Sequence, residues 1–408
     1  MKFGSDKPHH VLGQSLELPC GAVLKNRLAK SAMSDSLGDG AGNPTAAQTR
    51  LYERWADGGA ALSMIGEVQV APHYPEKPGN LVLGRRSERS LLSALTRRAT
   101  GHGAHLWPQL GHAGALAHPP ISVPKGPSAL DLPGLRCAGL SAREVESLPG
   151  LYADAAVLAK EVGFTGVHLH AGHGFLLSQF LSPLFNRRTD RYGGSIEARC
   201  AIVLAIIAEV RRRVGPRFPI GIRINASDKL EGGLTEADAL EVVHLLDRTT
   251  IDLIDVSGGT YFPGAKASSD GVADDGPYFL EFAQKAKALT RVPLMLTGGI
   301  RTRAQAAETV IGGAADMVGL ARAMALNPQL ADSWLSERGG DPHFPSFASP
   351  PRGAITAWYS MRLTALGEDR EAAFVLDPQA ALEAYEGRDE DRCVTWLAQF
   401  GTHTSNPS

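Results

Sequence analysis

Eight short apolar runs, each separated from the next by a longer connecting stretch, constrain this chain more than any other feature. The runs are Leu28–Met33, Gly59–Gly66, Gly103–Leu110, Phe164–His170, Pro219–Ile224, Ile251–Val256, Val292–Thr297 and Ala315–Leu320. Between them Leu51–Asp57, Ser87–His102, Leu151–Val162, Ser195–Val214, Thr235–Arg248, Gly276–Thr290 and Arg303–Gly312 read as helices. Ser141-Ala-Arg-Glu144 and Thr235-Glu-Ala-Asp238 supply capping-box starts. Apolar strands alternating with helices imply parallel pairing through helical crossovers. Eight such units match closure into an α/β fold, the (β/α)8 TIM barrel. A doubly wound open sheet competes, but no Gly-x-Gly-x-x-Gly follows the first strand.

Around this repeat lie three further segments. Leu16–Leu18 and Ala22–Leu24 flank a Pro-Cys-Gly turn and read as an N-terminal hairpin. Gly111–Gly139 is rich in Pro and Gly without a period, as expected of a functional cover. From Asp341-Pro342 the composition turns to Pro, Ser and polar residues, with a helical piece at Ala354–Leu366 and a charged stretch at Glu386–Arg392. The chain is therefore expected to divide into a barrel, residues 1–340, and a C-terminal extension, 341–408, packed on the barrel or on a neighbouring subunit.

Charge narrows the partners. A net charge of −2 and a pI near 6.7 favour neither nucleic acid nor an anionic membrane. The longest apolar run, Ala201–Ala208, is too short to span a bilayer. The polar start, Met1–Gly13, does not read as a signal peptide, so a cytoplasmic protein is expected. Cys20, Cys137, Cys200 and Cys393 stand too far apart in sequence for metal or redox spacing, so neither a metal site nor a disulfide framework is expected.

In such barrels chemistry sits at the C-terminal ends of the strands. There the sequence places Ser34, Glu67, Gln109 and His112, His170 and His173, Arg223 and Asn225, Ser257-Gly258-Gly259, Gly298-Gly299, and Ala321-Arg322. A strand ending in His170, with His173 three residues on in a Gly-rich turn, suits a negatively charged or carbonyl oxygen. His168 shares a face with His170 and reads as a hydrogen-bonded core residue. Gln109, a buried amide, needs partners. Arg223 between Ile222 and Ile224 is costly to bury unpaired, which points to an anionic ligand. Glu67 reads equally as an ion-pair partner or a site residue. Glycines after strand seven and Arg322 after strand eight suit a phosphate. By themselves these features indicate a phosphate-bearing ligand.

Longer blocks make the reading specific. They are Leu24-Lys-Asn-Arg27, Gln109-Leu-Gly-His-Ala-Gly114, His170-Ala-Gly-His173-Gly-Phe-Leu-Leu-Ser-Gln-Phe-Leu-Ser-Pro183 with Asn186-Arg-Arg-Thr-Asp-Arg-Tyr-Gly-Gly194, Thr297-Gly-Gly-Ile-Arg301, and Gly319-Leu-Ala-Arg-Ala-Met-Ala-Leu-Asn-Pro328. On these, residues 16–330 resemble the old yellow enzyme family of FMN-dependent ene reductases. The resemblance implies an FMN site, with NADH or NADPH as reductant and a small-molecule acceptor. Position by position it implies Ala32, Met33, Ser34 and Val68 along one flavin edge, Gln109 on the pyrimidine part, and Arg223 facing the N1–C2 oxygen. It places the phosphate on Gly298, Gly299, Ala321 and Arg322. His170 and His173 would hold the substrate oxygen while hydride reaches the β-carbon. Association into homo-oligomers is expected on the same ground. The barrel is followed by no Cys cluster of the kind that larger relatives use for iron–sulfur binding, so FMN alone is implied.

One position departs from the family. Phe175 stands where relatives carry a tyrosine that protonates the α-carbon, and phenylalanine has no proton to give. Tyr261, Tyr359 or water would then serve; or solvent alone would suffice for acidic products; or the reaction would be an oxidation, a nitro reduction or a dehydrogenation run in reverse. The alternative function is a flavin dehydrogenase, demethylase or nitro-compound reductase on the same site, or an FMN-binding protein with little turnover. Phe175, Tyr261, Trp358 and Tyr359 are accordingly the substrate-pocket candidates. Trp358 and Tyr359 read first as packing residues of the tail.

Overall fold

The structure, a computed structural model, describes residues 8–262, 265, 276–336 and 338–401. Eight parallel strands close on themselves: β1 (Leu28–Met33), β2 (Leu62–Gln69), β3 (His105–Gly111), β4 (Val167–Ala171), β5 (Ile220–Asn225), β6 (Leu253–Ser257), β7 (Leu294–Thr297) and β8 (Met317–Leu320). Each pairs with the next, and β8 returns to β1, so the (β/α)8 barrel is the fold. Apart from Met33 and His105 at the ends of their strands, every barrel-strand residue is buried, as continuous apolar runs require.

Helices α1 (Ala46–Asp57), α2 (Arg89–Ala99), α3 (Ala142–Glu161), α4 (Ile196–Val214), α5 (Glu236–Leu246), α6 (Leu280–Lys287) and α7 (Arg303–Ile311) cover the strands. Both expected capping boxes form, Ser141 with Glu144 and Thr235 with Asp238, and Thr302 makes a third with Gln305. The N-terminal hairpin pairs Leu16 with Leu24. Among the described residues no helix is long and apolar enough to cross a membrane.

Several boundaries differ from the sequence expectation. α1 begins five residues before Leu51, at Ala46, because Thr45 caps it through the Gln48 N–H. β2 starts three residues late and runs to Gln69, past its glycine. The segment after β3 is not structureless: Lys125–Gly126, Leu130–Leu132 and Leu135–Gly139 form a small sheet of their own. The charged tail stretch belongs to a long helix, α9 (Pro378–Phe400), which follows α8 (Ala354–Gly367).

α8 packs on α1, where Arg54 donates to the Leu366 carbonyl at 2.9 Å and Arg50 pairs with Asp369 at 3.0 Å. α9 reaches the catalytic end of the barrel, burying Trp396 against Val82 and Ile121.

Register decides which polar side chains meet. His168 lies opposite Gln109, His170 opposite Arg223, and Arg223 opposite Asp255 on adjacent strands. The pairing of β2 with β3 shifts between Ile65 and Val68, an irregularity of the kind that re-aims a side chain. Within it Glu67 has φ 57°, the left-handed region that non-glycine residues avoid. Gly66 allows β1 to approach there, since a Cβ would fall 2.2 Å from the Met33 carbonyl oxygen.

Candidate active site

The floor of the barrel mouth is a buried ion pair. Arg223, 2% exposed, donates to Asp255 through Nε at 2.7 Å, with Nη2 at 2.6 Å from the same oxygen. Arg223 Nη2 also donates to Ser31 Oγ, and Thr297 Oγ1 donates to the second Asp255 oxygen at 2.7 Å. From sequence an anionic ligand is the favoured reason for burying Arg223; the structure supplies a counter-ion within the protein. Its counter-ion is Asp255, and a buried charge so paired needs no ligand to be tolerated.

Gln109 shares a hydrogen bond with His168, Nε2 to Nδ1 at 3.1 Å, so His168 is a hydrogen-bonded core residue as expected, although its Nε2, 3.6 Å from Asp255, has no hydrogen-bond partner among the described residues. His112 accepts the Gly114 N–H on Nδ1 at 3.0 Å and stacks on Tyr74, with ring centres 4.5 Å apart, so it positions its loop.

Above this floor stand the two histidines. His170 Nε2 and His173 Nδ1 converge to 3.3 Å. The outer nitrogens differ: His173 Nε2 lies 3.0 Å from Ser257 Oγ in a hydrogen bond, whereas His170 Nδ1 lies 2.9 Å from Glu67 Oε1 without forming one. His173 takes φ 59°, held there by its N–H to Asn225 Oδ1 at 2.9 Å and by a bridge to Thr260. Burial drives both imidazoles well below their ordinary pKa; Arg223 adds to this for both rings, and His170 adds to it for His173. Both are therefore neutral near pH 7, each with one N–H to give.

Of the pocket candidates, two join the histidines. Phe175 is buried with its ring centre 4.9 Å from that of His170, and Tyr261 sits edge-on to His173 at 5.8 Å. Tyr261 is 59% exposed. Tyr359 lies under the Arg322 guanidinium, 5.0 Å from its ring centre. Trp358 turns into the tail, where Nε1 donates to the Leu376 carbonyl and the ring meets Phe347 and Phe374. Its packing reading is the one this geometry favours.

The remaining sequence candidates line the same mouth. Ala32, Met33 and Ser34 end β1, and Val68 is buried in β2. Gly298 and Gly299 take φ 122° and 79° after β7, a conformation open to glycine. Ala321 and Arg322 follow β8. Ser34 Oγ donates to Glu76 Oε2 at 3.2 Å, and Ser360 of α8 donates to the Ser34 carbonyl at 3.4 Å.

Sequence reasoning missed Asp255 and Glu76. Asp255 carried a signal, an acid flanked by Ile254 and Val256 in a buried strand, the same signature as Arg223. Glu76 carried none, standing in a loop between Pro75 and Lys77.

The sequence model of the NADH:flavin oxidoreductase / NADH oxidase family matches residues 20–338. The NADH-dependent flavin oxidoreductase iliE of Hypocrea jecorina is 33% identical over 347 residues, 77% of this chain and 86% of the relative. Among solved structures, morphinone reductase in complex with tetrahydroNAD superimposes with TM-score 0.69 at 23% identity, covering 83% of this chain and 95% of that one. A 2-naphthoyl-CoA reductase complex gives TM-score 0.76 at 23% identity over 81% of this chain. The present chain spans 53% of that longer protein.

Proposed function

This chain belongs to the NADH:flavin oxidoreductase / NADH oxidase family, and on that premise we propose that it reduces an activated alkene, an α,β-unsaturated carbonyl or nitro compound, held by His170 and His173. It is an oxidoreductase with FMN as cofactor and NADH or NADPH as reductant. FMN, when bound, supplies hydride chemistry between the nicotinamide and the acceptor.

The donor set at the mouth fits that group. A buried guanidinium (Arg223), a buried amide (Gln109) and two glycines of positive φ (Gly298, Gly299) lie toward the C-terminal ends of β5, β3 and β7. Gln109 would hold the pyrimidine edge and Arg223 the N1–C2 oxygen. Ala32, Met33, Ser34 and Val68 would line the opposite edge, and Gly298, Gly299, Ala321 and Arg322 would hold the phosphate. Asp255 fixes Arg223 in place, which spares it reorganisation when charge develops nearby.

The observation that carries the proposal is the meeting of His170 Nε2 and His173 Nδ1, which lie 3.3 Å apart and hydrogen-bond each other. A carbonyl or nitro oxygen that replaces this mutual contact would accept from neutral N–H donors, polarised without a full cation beside it. Ser257 holds the outer nitrogen of His173 and Glu67 lies 2.9 Å from that of His170, which would favour protons on the inner nitrogens.

The purified protein is expected to be yellow, to bleach anaerobically with NADPH or NADH, and to regain colour on adding cyclohexenone. A colourless protein that takes up no FMN would sink the proposal. Bleaching without recovery by an enone would transfer it to the second reading, a flavin dehydrogenase, demethylase or nitro-compound reductase. That reading draws on the buried, apolar Phe175 beside His170.

A further inference from the structure

Glu67 is a buried carboxyl that the mechanism above uses only through its neighbour. It is 5% exposed, and its Oε1 lies 2.9 Å from His170 Nδ1. Neither its other oxygen, Oε2, nor His170 Nδ1 has a hydrogen-bond partner among the described residues. The two groups are in contact at 2.9 Å, and a proton can pass between them once they align. The backbone holds it at φ 57° inside the shifted pairing of β2. Strain of that kind persists where the surroundings over-determine it. Here the strained residue is aimed at the substrate-holding histidine, on the far side from the substrate. No hydroxyl stands at Phe175 to protonate carbon.

We propose that Glu67 is the proton reservoir of this site, passing its carboxyl proton through His170 to the substrate oxygen, so that the product leaves as an enol. The inference rests on the alkene-reducing reading given above. Hydride arrives at the β-carbon with its electron pair, and the C=C pair moves toward oxygen to give an enolate. The Nε2–H bond of His170 breaks as the O–H bond of the enol forms. The Glu67 O–H bond breaks as an Nδ1–H bond forms, leaving His170 neutral in its other tautomer and Glu67 a carboxylate. After the enol leaves, water protonates His170 Nε2 while the Nδ1 proton returns to Glu67, which restores the starting state, and the enol ketonises in solution. The sum is one hydride and one proton added across the alkene.

The electrostatics agree. Burial pushes the Glu67 carboxyl up to about 8, with Arg223 opposing, so it holds its proton at neutral pH. The other groups coupled to it are Glu76, itself pushed up to about 7 by burial and by Glu67, and the hydroxyls of Tyr152 and Tyr261. Glu67 acts through His170 and is a positioning and proton-supplying residue.

Three measurements test this. In the wild-type holoenzyme, reduction of 2-methylcyclohexenone should give product racemic at the α-carbon; a single α-configuration set by the enzyme would overturn the enol route. Glu67→Gln keeps shape and polarity but has no acidic proton. Re-oxidation of its reduced flavin by enones should slow roughly 10²-fold, the scale of a lost acid, and far more than re-oxidation by ferricyanide, which needs no proton. The wild-type decline in enone rate above pH 8 should vanish in the variant. Enone reduction at the wild-type rate with an unchanged pH profile would overturn the relay. Independently of turnover, infrared difference spectra should show a protonated-carboxyl band that is absent in Glu67→Gln and lost as pH rises past 8; absence of such a band in wild type would also overturn it. If wild type reduces no enone at all yet keeps the band, the fault lies in the proposed function.

Discussion

Phe175 is the residue at which one ring decides between chemistries. It packs with Ala113 and Ala117 and against His170, so a hydroxyl added at its tip would enter a crowded, mostly apolar corner beside the substrate. Phe175→Tyr is expected to raise alkene reduction at least tenfold, within the range that a well-placed general acid supplies, and to make α-protonation stereospecific. Steady-state rates and chiral chromatography of the product check both. An unchanged rate with a racemic product would mean that the new hydroxyl does not reach the α-carbon. Unfolding should become easier by roughly 1–3 kcal/mol if that hydroxyl finds no partner. At this scale the sequence was only partly legible. His170, His173 and Phe175 stood out as types in a block, whereas the Arg223–Asp255 pairing depended on which residues of adjacent strands face one another. Register is a long-range property, and no local pattern encodes it.

The element that matters most is β2, because its irregular pairing aims Glu67 and its glycine brings β1 close. Gly66→Ala would place a methyl 2.2 Å from the Met33 carbonyl oxygen and 2.8 Å from the Ser34 nitrogen, both backbone atoms that must move. The expected cost is at least 1–3 kcal/mol, with loss of bound flavin on gel filtration because the Ala32–Ser34 edge shifts. Gly84→Ala is the control, since its nearest contact is Val82 Cγ1 at 3.8 Å; equal melting temperatures for the two variants would refute the argument. Strands and helices were readable from apolar runs and capping boxes, which are local. The shifted pairing was not, and neither was the late start of β2, because the small residues Gly58 to Ala61 resemble a buried strand without belonging to one.

For the whole molecule, pH enters through buried groups. Lys30 is fully buried, donates to the Ser31 carbonyl at 2.7 Å and lies over the Trp55 ring at 4.4 Å. Burial lowers its pKa from 10.5 to about 7. Between those values the unfolded chain binds the extra proton, so this group makes stability rise with pH, by up to about 1.4 kcal/mol per unit. Glu67 works in the opposite sense: its raised pKa makes stability fall from pH 4.5 to about 8. Denaturation of wild type and Lys30→Met compared between pH 8 and 10 should therefore show a shallower or reversed slope in the variant. Parallel curves would mean that Lys30 keeps its charge in the fold. The barrel itself was legible because eight local signals repeat. The role of the tail was not, since nothing in a charged amphipathic helix says what it will lean on.

That tail ties two distant parts of the chain together at the mouth. Ser360 donates to the Ser34 carbonyl, Arg392 to the Ser36 carbonyl, and Asp389 pairs with Lys77 at 3.4 Å. Translation proceeds from the N-terminus, so the loop after β1 emerges from the ribosome more than three hundred residues before the helix that braces it. Flavin capture in its final geometry is therefore expected late in biogenesis: ribosome-bound chains stalled before α9 has emerged should carry no cofactor.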